Sequence, residues 1–219
     1  MRRIFALNGS PRTAGNTSFL LKAFLDGAKS NDVQIDQVHT HESNVKYCNG
    51  CLRCNLIKRC SINGDEWPII SQYILESDIL VIAAPVYFHH LPASVKTILD
   101  RFRSFVKVTI TEKSINHRAW HEWNKDIVLI LTMGSSDNAD AKPVMDLFKY
   151  MVKMLGPKNK LHIINANRLA VIKQINFSKD ELETLYEKLM LPVHLSEKDS
   201  KINELKLDEC FDLGKKLSS

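Results

Sequence analysis

No apolar stretch in the chain is long enough to span a bilayer, and no charged, apolar and small-residue leader precedes the first apolar run at Ile4. Both absences argue against a membrane and lead us to expect a cytoplasmic protein. No basic block with interleaved aromatics is present, so no nucleic-acid partner is expected. Internal repeats and low-complexity tracts are also missing. Two familiar phosphate loops are excluded: no Lys closes a G-x-x-x-x-G-K-[ST] run, and no G-x-G-x-x-G occurs. Cysteines number five among 219 residues, and in a reducing compartment they are thiols or ligands rather than structural disulfides.

The composition that remains, 44% hydrophobic and 25% charged, is ordinary for a globular chain. Its length suits one core, with a formal net charge of +5 that favours anionic small molecules or an acidic partner. Ile4–Leu7, Asp32–His39, Asp78–Ala84, Asp126–Leu131 and Leu161–Ile172 read as strands. Helices are expected from Asn16, over Glu66–Glu76, over Ala93–Phe105 and over Lys142–Leu155, the last stopped by Gly156-Pro157. Strands alternating with helices predict an α/β fold, a doubly wound five-stranded parallel sheet. Residues 1–176 are assigned to it. Residues 177–219 form a helical C-terminal extension of two charged segments separated by Leu191-Pro192, packing on a partner subunit or across the sheet edge. Its Cys210 is read as an incidental half-buried thiol. Lys107–Lys125 is expected to be an irregular insertion containing Trp120 and Trp123. His39 and His41 are read as solvated residues at a strand end.

In such a sheet ligands bind outside the C-terminal strand ends, where three loops stand out. The first, Asn8 to Asn16, leads into a helix and offers Ser10, Arg12, Asn16, Thr17 and Ser18 around a single phosphate, although a plain capped helix with Asn16 or Thr17 as the cap also fits. The second, Pro85-Val86-Tyr87-Phe88, combines a stiff turn with aromatics and backbone N–H groups suited to the rim and faces of a flat heteroaromatic ring. The third, Thr132-Met133-Gly134-Ser135, is built of small residues and a Gly that permit close approach. A phosphate at the first loop and a ring between the other two describe flavin mononucleotide.

Gly9-Ser10-Pro11-Arg12, Gly15-Asn16-Thr17, Pro85-Val86-Tyr87-Phe88 and Leu99-Asp100-Arg101 resemble the flavodoxin-like NADPH-dependent FMN reductase superfamily. The resemblance covers Met1 to about Leu155. It implies noncovalent FMN, its phosphate at Ser10, Arg12, Asn16, Thr17 and Ser18 and its ring along Pro85 to Phe88 and near Thr132 to Ser135. It also implies a homodimer or homotetramer, with the flavin near the subunit interface.

Cys48, Cys51, Cys54 and Cys60 are spaced C-x2-C-x2-C-x5-C, close enough for four thiolates to converge on one metal centre. The spacing is similar to the compact motif of the iron–sulfur flavoproteins, a branch of the same superfamily with a 4Fe–4S cluster beside FMN. Ser61 stands where bacterial ferredoxins place Pro, and Lys58-Arg59 would raise the potential of a reduced cluster. Free or redox-active thiols followed by Asp65-Glu66, and zinc, are the other readings.

Three functions follow as expectations. The first is an FMN oxidoreductase of the iron–sulfur flavoprotein type, carrying electrons from NAD(P)H or a ferredoxin-like donor to a quinone or other small acceptor. The second is a cluster-free NAD(P)H-dependent FMN or quinone reductase. The third is a non-enzymatic electron carrier or redox-sensing binding protein. In none of them is a side chain required as a catalytic acid or base.

Overall fold

The computed structural model describes residues 1–219. Strands β1 (Arg2–Asn8), β2 (Val33–His39) and β3 (Ile79–Pro85) enter one sheet. β4 (Val106–Ile110) and β5 (Ile115–Ala119) form a separate antiparallel hairpin. β6 (Asp126–Thr132) and β7 (Lys160–Ala166) complete the main sheet, which runs β2-β1-β3-β6-β7 with every pair parallel. This is the doubly wound five-stranded arrangement expected. β3 and β6 lie inside it and are buried almost throughout. With helices on both faces, an interior strand needs no alternation, and unbroken runs such as ILVIAA result.

On one face lie α3 (Trp67–Glu76), α4 (Ala93–Arg101) and α5 (Lys142–Leu155), whose side chains join Phe5, Leu80, Ile82 and Leu129 in the larger core. On the other face lies α1 (Asn16–Ala28), with Leu20, Leu21 and Phe24 against Ile4, Val81 and Val128. A short α2 (Cys54–Ile57) sits in the cysteine loop, and α6 (Lys179–Lys188) and α7 (Ser196–Ser218) end the chain. No helix is long and apolar enough to cross a membrane.

Four sequence-based expectations are corrected. Lys107–Lys125 is not irregular: it contains most of the β4–β5 hairpin, in which Val106, Val108 and Ile110 alternate with Lys107 and Thr109 along β4 while the exposed β5 carries no such pattern. Trp123, 4% exposed, packs in the main core against Phe102 and Phe105. The Ala93–Phe105 helix stops at Arg101 and tightens into a 3-10 turn over Phe102–Phe105. The fifth strand ends at Ala166 rather than Ile172. Arg168 turns into the left-handed region (φ +54°), and the Gln174 side chain binds the amides of Ala170 and Val171 and the carbonyl of Arg168.

The tail also differs from expectation. α7 lies along α1 on the face of the sheet rather than across its edge. The approach is backbone to backbone. A Cβ on Gly27 would stand 2.0 Å from the carbonyl oxygen of Phe211, and one on Gly214 would stand 2.0 Å from that of Phe24. Cys210 is fully buried in this seam rather than half-buried, and burial pushes its thiol up to about 12.

Candidate functional site

The first loop is drawn tight by its own side chains. Asn8 is buried; its Oδ1 accepts from the Ser10 amide (3.0 Å) and its Nδ2 donates to Ser18 Oγ (3.0 Å). Ser10 Oγ donates to the Arg12 carbonyl and accepts from the Arg12 amide. Gly15 is required by close approach, since a Cβ there would stand 2.8 Å from Ser10 Oγ. Gly15 also stands at the N-cap, just before α1, and no side chain caps the helix. Neither Asn16 nor Thr17 serves as cap. The first-turn amides of Asn16, Thr17 and Ser18 have no hydrogen-bond partner, and together with the helix dipole they form an open anion cradle.

Asn16 does not offer its side chain to that cradle. Its Nδ2 donates to the carbonyls of Val171 (2.8 Å) and Leu169, and its Oδ1 accepts from the Ile175 amide (3.0 Å). It tethers the segment after β7 to the first loop, where Arg12, exposed, also reaches the Ala170 carbonyl (3.3 Å). Thr17 Oγ1 and Thr132 Oγ1 are 2.6 Å apart and buried, joining the first and third loops.

The second loop is more committed than the sequence suggests. The Val86 amide donates to Thr132 O (2.8 Å) and the Tyr87 amide to His90 O (2.8 Å), so neither is free for a ligand. Phe88 and His89 occupy the left-handed region at φ +47° and +59°, a tight turn that leaves the Phe88 side chain wholly exposed. In the third loop the Met133 side chain is buried in the main core rather than turned to the loop surface. Gly134 is exposed, and a Cβ on it would make only ordinary contact with Ala170, while Ser135 Oγ accepts from the Asp137 amide. Ser10, Thr17, Thr132, Pro85 and Gly134 thus converge around the ends of β1, β3 and β6. His39 and His41 meet edge to face at 5.9 Å near the end of β2.

A second cluster lies in the loop between β2 and α3. All four sequence-predicted ligands, Cys48, Cys51, Cys54 and Cys60, border one narrow cavity of about 20 Å³. As their side chains stand, no group of three or more Cys, His, Asp or Glu is disposed to hold a metal ion. Gly50, Leu52 and Lys58 all have positive φ, folding the loop back on itself around α2. Hydrogen bonding to Ser61 and to the Arg53 amide lowers the Cys51 thiol, whereas burial raises that of Cys54.

Two residues of this cluster were not assigned from sequence. Arg101 forms part of the cavity wall and is 1% exposed. Its Nη1 donates to Asp65 Oδ2 (2.6 Å) and to the Lys46 carbonyl (2.7 Å), and its guanidinium lies 5.3 Å from the Trp67 ring centre. Burial pushes the Asp65 carboxyl up, but the hydrogen bond and charge of Arg101, together with the amides of Lys46 and Trp67, outweigh it and hold the group below the usual carboxylate range. Arg103 also lines the cavity, and its Nη1 reaches Cys54 Sγ at 3.5 Å. The Leu99-Asp100-Arg101 motif was the only sequence signal for Arg101; its partner Asp65 is distant in sequence.

Residues 2–171 match the model of the NADPH-dependent FMN reductase family. The chain belongs to that family. Family membership and fold were both legible from the first-loop and second-loop motifs. An iron–sulfur flavoprotein of Archaeoglobus fulgidus is 34% identical over 93 residues, 42% of either chain. The chain spans about half the length of the curated relatives it matches. Among solved structures, the fold resembles an FMN-dependent NADH-azoreductase from Bacillus anthracis in complex with FMN, with a TM-score of 0.64, 16% identity and 100% coverage of both chains. It equally resembles the NAD(P)H:quinone oxidoreductase of Methanothermobacter marburgensis, with a TM-score of 0.64, 14% identity and coverage of 99% and 98%.

Proposed function

We propose that this chain is an FMN-dependent oxidoreductase that takes electrons from NAD(P)H, or singly from a ferredoxin-like donor, and passes them to a quinone or another small flat acceptor. The observation that carries this is the uncapped first turn of α1. Its free amides sit beside the Ser10 hydroxyl and the Thr17–Thr132 pair, and the donor set fits a phosphate monoester better than any internal partner. Arg12 would add charge from the rim, and Ser18 a hydroxyl. The aromatic second loop and the open Gly134 would bound a flat ring above Pro85. FMN, when bound, supplies both hydride and single-electron chemistry. The protein anchors the phosphate, limits the approach of water through the second loop, and holds the amides of Phe88 and His89 without backbone partners.

For the cysteine cavity we propose a 4Fe–4S cluster held by Cys48, Cys51, Cys54 and Cys60. A cluster supplies single-electron transfer. Four thiols around one cavity support it, and so do two arginines in the same wall, a charge balance suited to an anionic metal–thiolate group. The names of the relatives agree. A cluster-free reductase is the second reading, favoured by Cys54, whose thiol is already hydrogen-bonded to the Arg103 carbonyl at 3.7 Å.

Two measurements test the proposal. Titration with FMN, followed by quenching of flavin fluorescence, should show binding that weakens by at least tenfold in Ser10→Ala with Thr17→Ala; unchanged affinity removes the phosphate assignment. Anaerobically reconstituted protein should contain about four irons and four sulfides per chain, and flavin absorbance without iron would select the cluster-free reading.

A further inference from the structure

Arg101 is the most deeply buried charged residue of the chain, at 1% exposed. Only one of its three nitrogens is used: Nη1 serves both Asp65 and the Lys46 carbonyl, while Nε and Nη2 are buried with no partner. An unpartnered buried donor is costly, and two on one guanidinium call for an acceptor that the protein itself does not supply. Arg101 lines the cavity bounded by the four cysteines. Arg103 brings a second positive charge to the same wall, with Nη1 at 3.5 Å from Cys54 Sγ.

We infer that Arg101, assisted by Arg103, sets the reduction potential of the centre held by Cys48, Cys51, Cys54 and Cys60. The inference rests on the cluster assignment above. One-electron reduction adds a negative charge to the centre, and a fixed positive charge at its wall stabilises the reduced state and raises the potential. Burial decides which cation matters. Lys58 and Arg59 are closer in sequence to a cysteine, but both are exposed, and water and salt screen them. Arg101 acts through low-dielectric protein, where the same charge counts several times more. Asp65 offsets part of this, but it lies off the cavity wall.

The test is an anaerobic dithionite titration of the reconstituted protein, with the reduced centre counted by electron paramagnetic resonance. The centre takes one electron from dithionite, and no bond is made or broken. Arg101→Gln alone would leave the Asp65 carboxylate buried without its partner, so Asp65→Asn is introduced with it. At the wild-type midpoint this pair should hold about tenfold less reduced centre relative to oxidised, a shift of about 59 mV downward for a one-electron couple. Arg103→Gln, which leaves the Asp65 pair intact, should shift the midpoint the same way by less. Arg101→Lys, which keeps the charge, should stay nearer the wild type. Midpoints equal to wild type in both glutamine variants, with iron and sulfide retained, overturn the inference and leave the cluster standing. A wild-type chain that takes up no iron overturns both.

Discussion

Lys125 shows how one buried side chain makes stability depend on pH. The residue is only 8% exposed, and its ammonium donates to the carbonyls of Leu75 and Ser77 and lies 5.5 Å from the centre of the Trp123 ring. Burial pushes its pKa down to about 8. The folded state therefore gives up this proton near pH 8, whereas the unfolded chain keeps it to about 10.4. Below pH 8 both states carry it and the burial cost is fully felt. Between pH 8 and about 10.4 the unfolded state binds more protons, so stability rises with pH. Urea unfolding at pH 7.5 and pH 10 should show wild type gaining about 2 kcal/mol relative to Lys125→Met over that interval. Equal pH dependence in the two proteins would refute it. Legibility at this scale followed reach along the chain. Ser10 and Thr17 were readable as loop hydroxyls. Asn16 was not readable as a tether, because its partners at Leu169, Val171 and Ile175 lie at the far end of the sequence. Arg101 was hidden for the same reason: its charge partner Asp65 lies in the loop before α3, far from it in sequence.

At the scale of elements, the α1–α7 seam is the most demanding contact. Gly27 and Gly214 face backbone carbonyls at distances no Cβ can share. Gly214→Ala should therefore force the helices apart. Overpacking of this kind costs about 1–3 kcal/mol, partly offset by the better helix propensity of Ala. Thermal unfolding should show a lowered midpoint for Gly214→Ala and no comparable drop for Lys215→Ala, which is exposed on the same helix. A Gly214→Ala protein as stable as wild type would mean that the seam opens freely. The interior strands β3 and β6 were legible because burial on both faces leaves them continuously apolar. The β4–β5 hairpin was not, because the alternation of Val106, Val108 and Ile110 in β4 is short and β5, mostly exposed, does not continue it. β7 was read too long because Leu169, Ala170 and Val171 continue its apolar character, although the backbone has already turned at Arg168.

For the whole molecule, the two halves of the core depend on different parts of the chain. The face covered by α3, α4 and α5 is complete by Ile163 in β7, whereas the α1 face takes Cys210 and Leu217 from the last helix. A chain shortened to residues 1–177 should keep the first face and lose the second. Size-exclusion chromatography and thermal unfolding should show aggregation or a broad, weakly cooperative transition; a sharp transition at the wild-type midpoint would show that α7 is dispensable. The sequence positions joined at the seam, Phe24 and Gly27 with Phe211 and Gly214, lie near opposite ends of the chain. During synthesis the first strand and helix leave the ribosome long before their cover exists. The helix whose first turn forms the anion cradle must wait, with its apolar side bare, until Ser196–Ser218 has been made. Closure across so long a sequence separation slows folding and leaves the nascent chain open to misassembly.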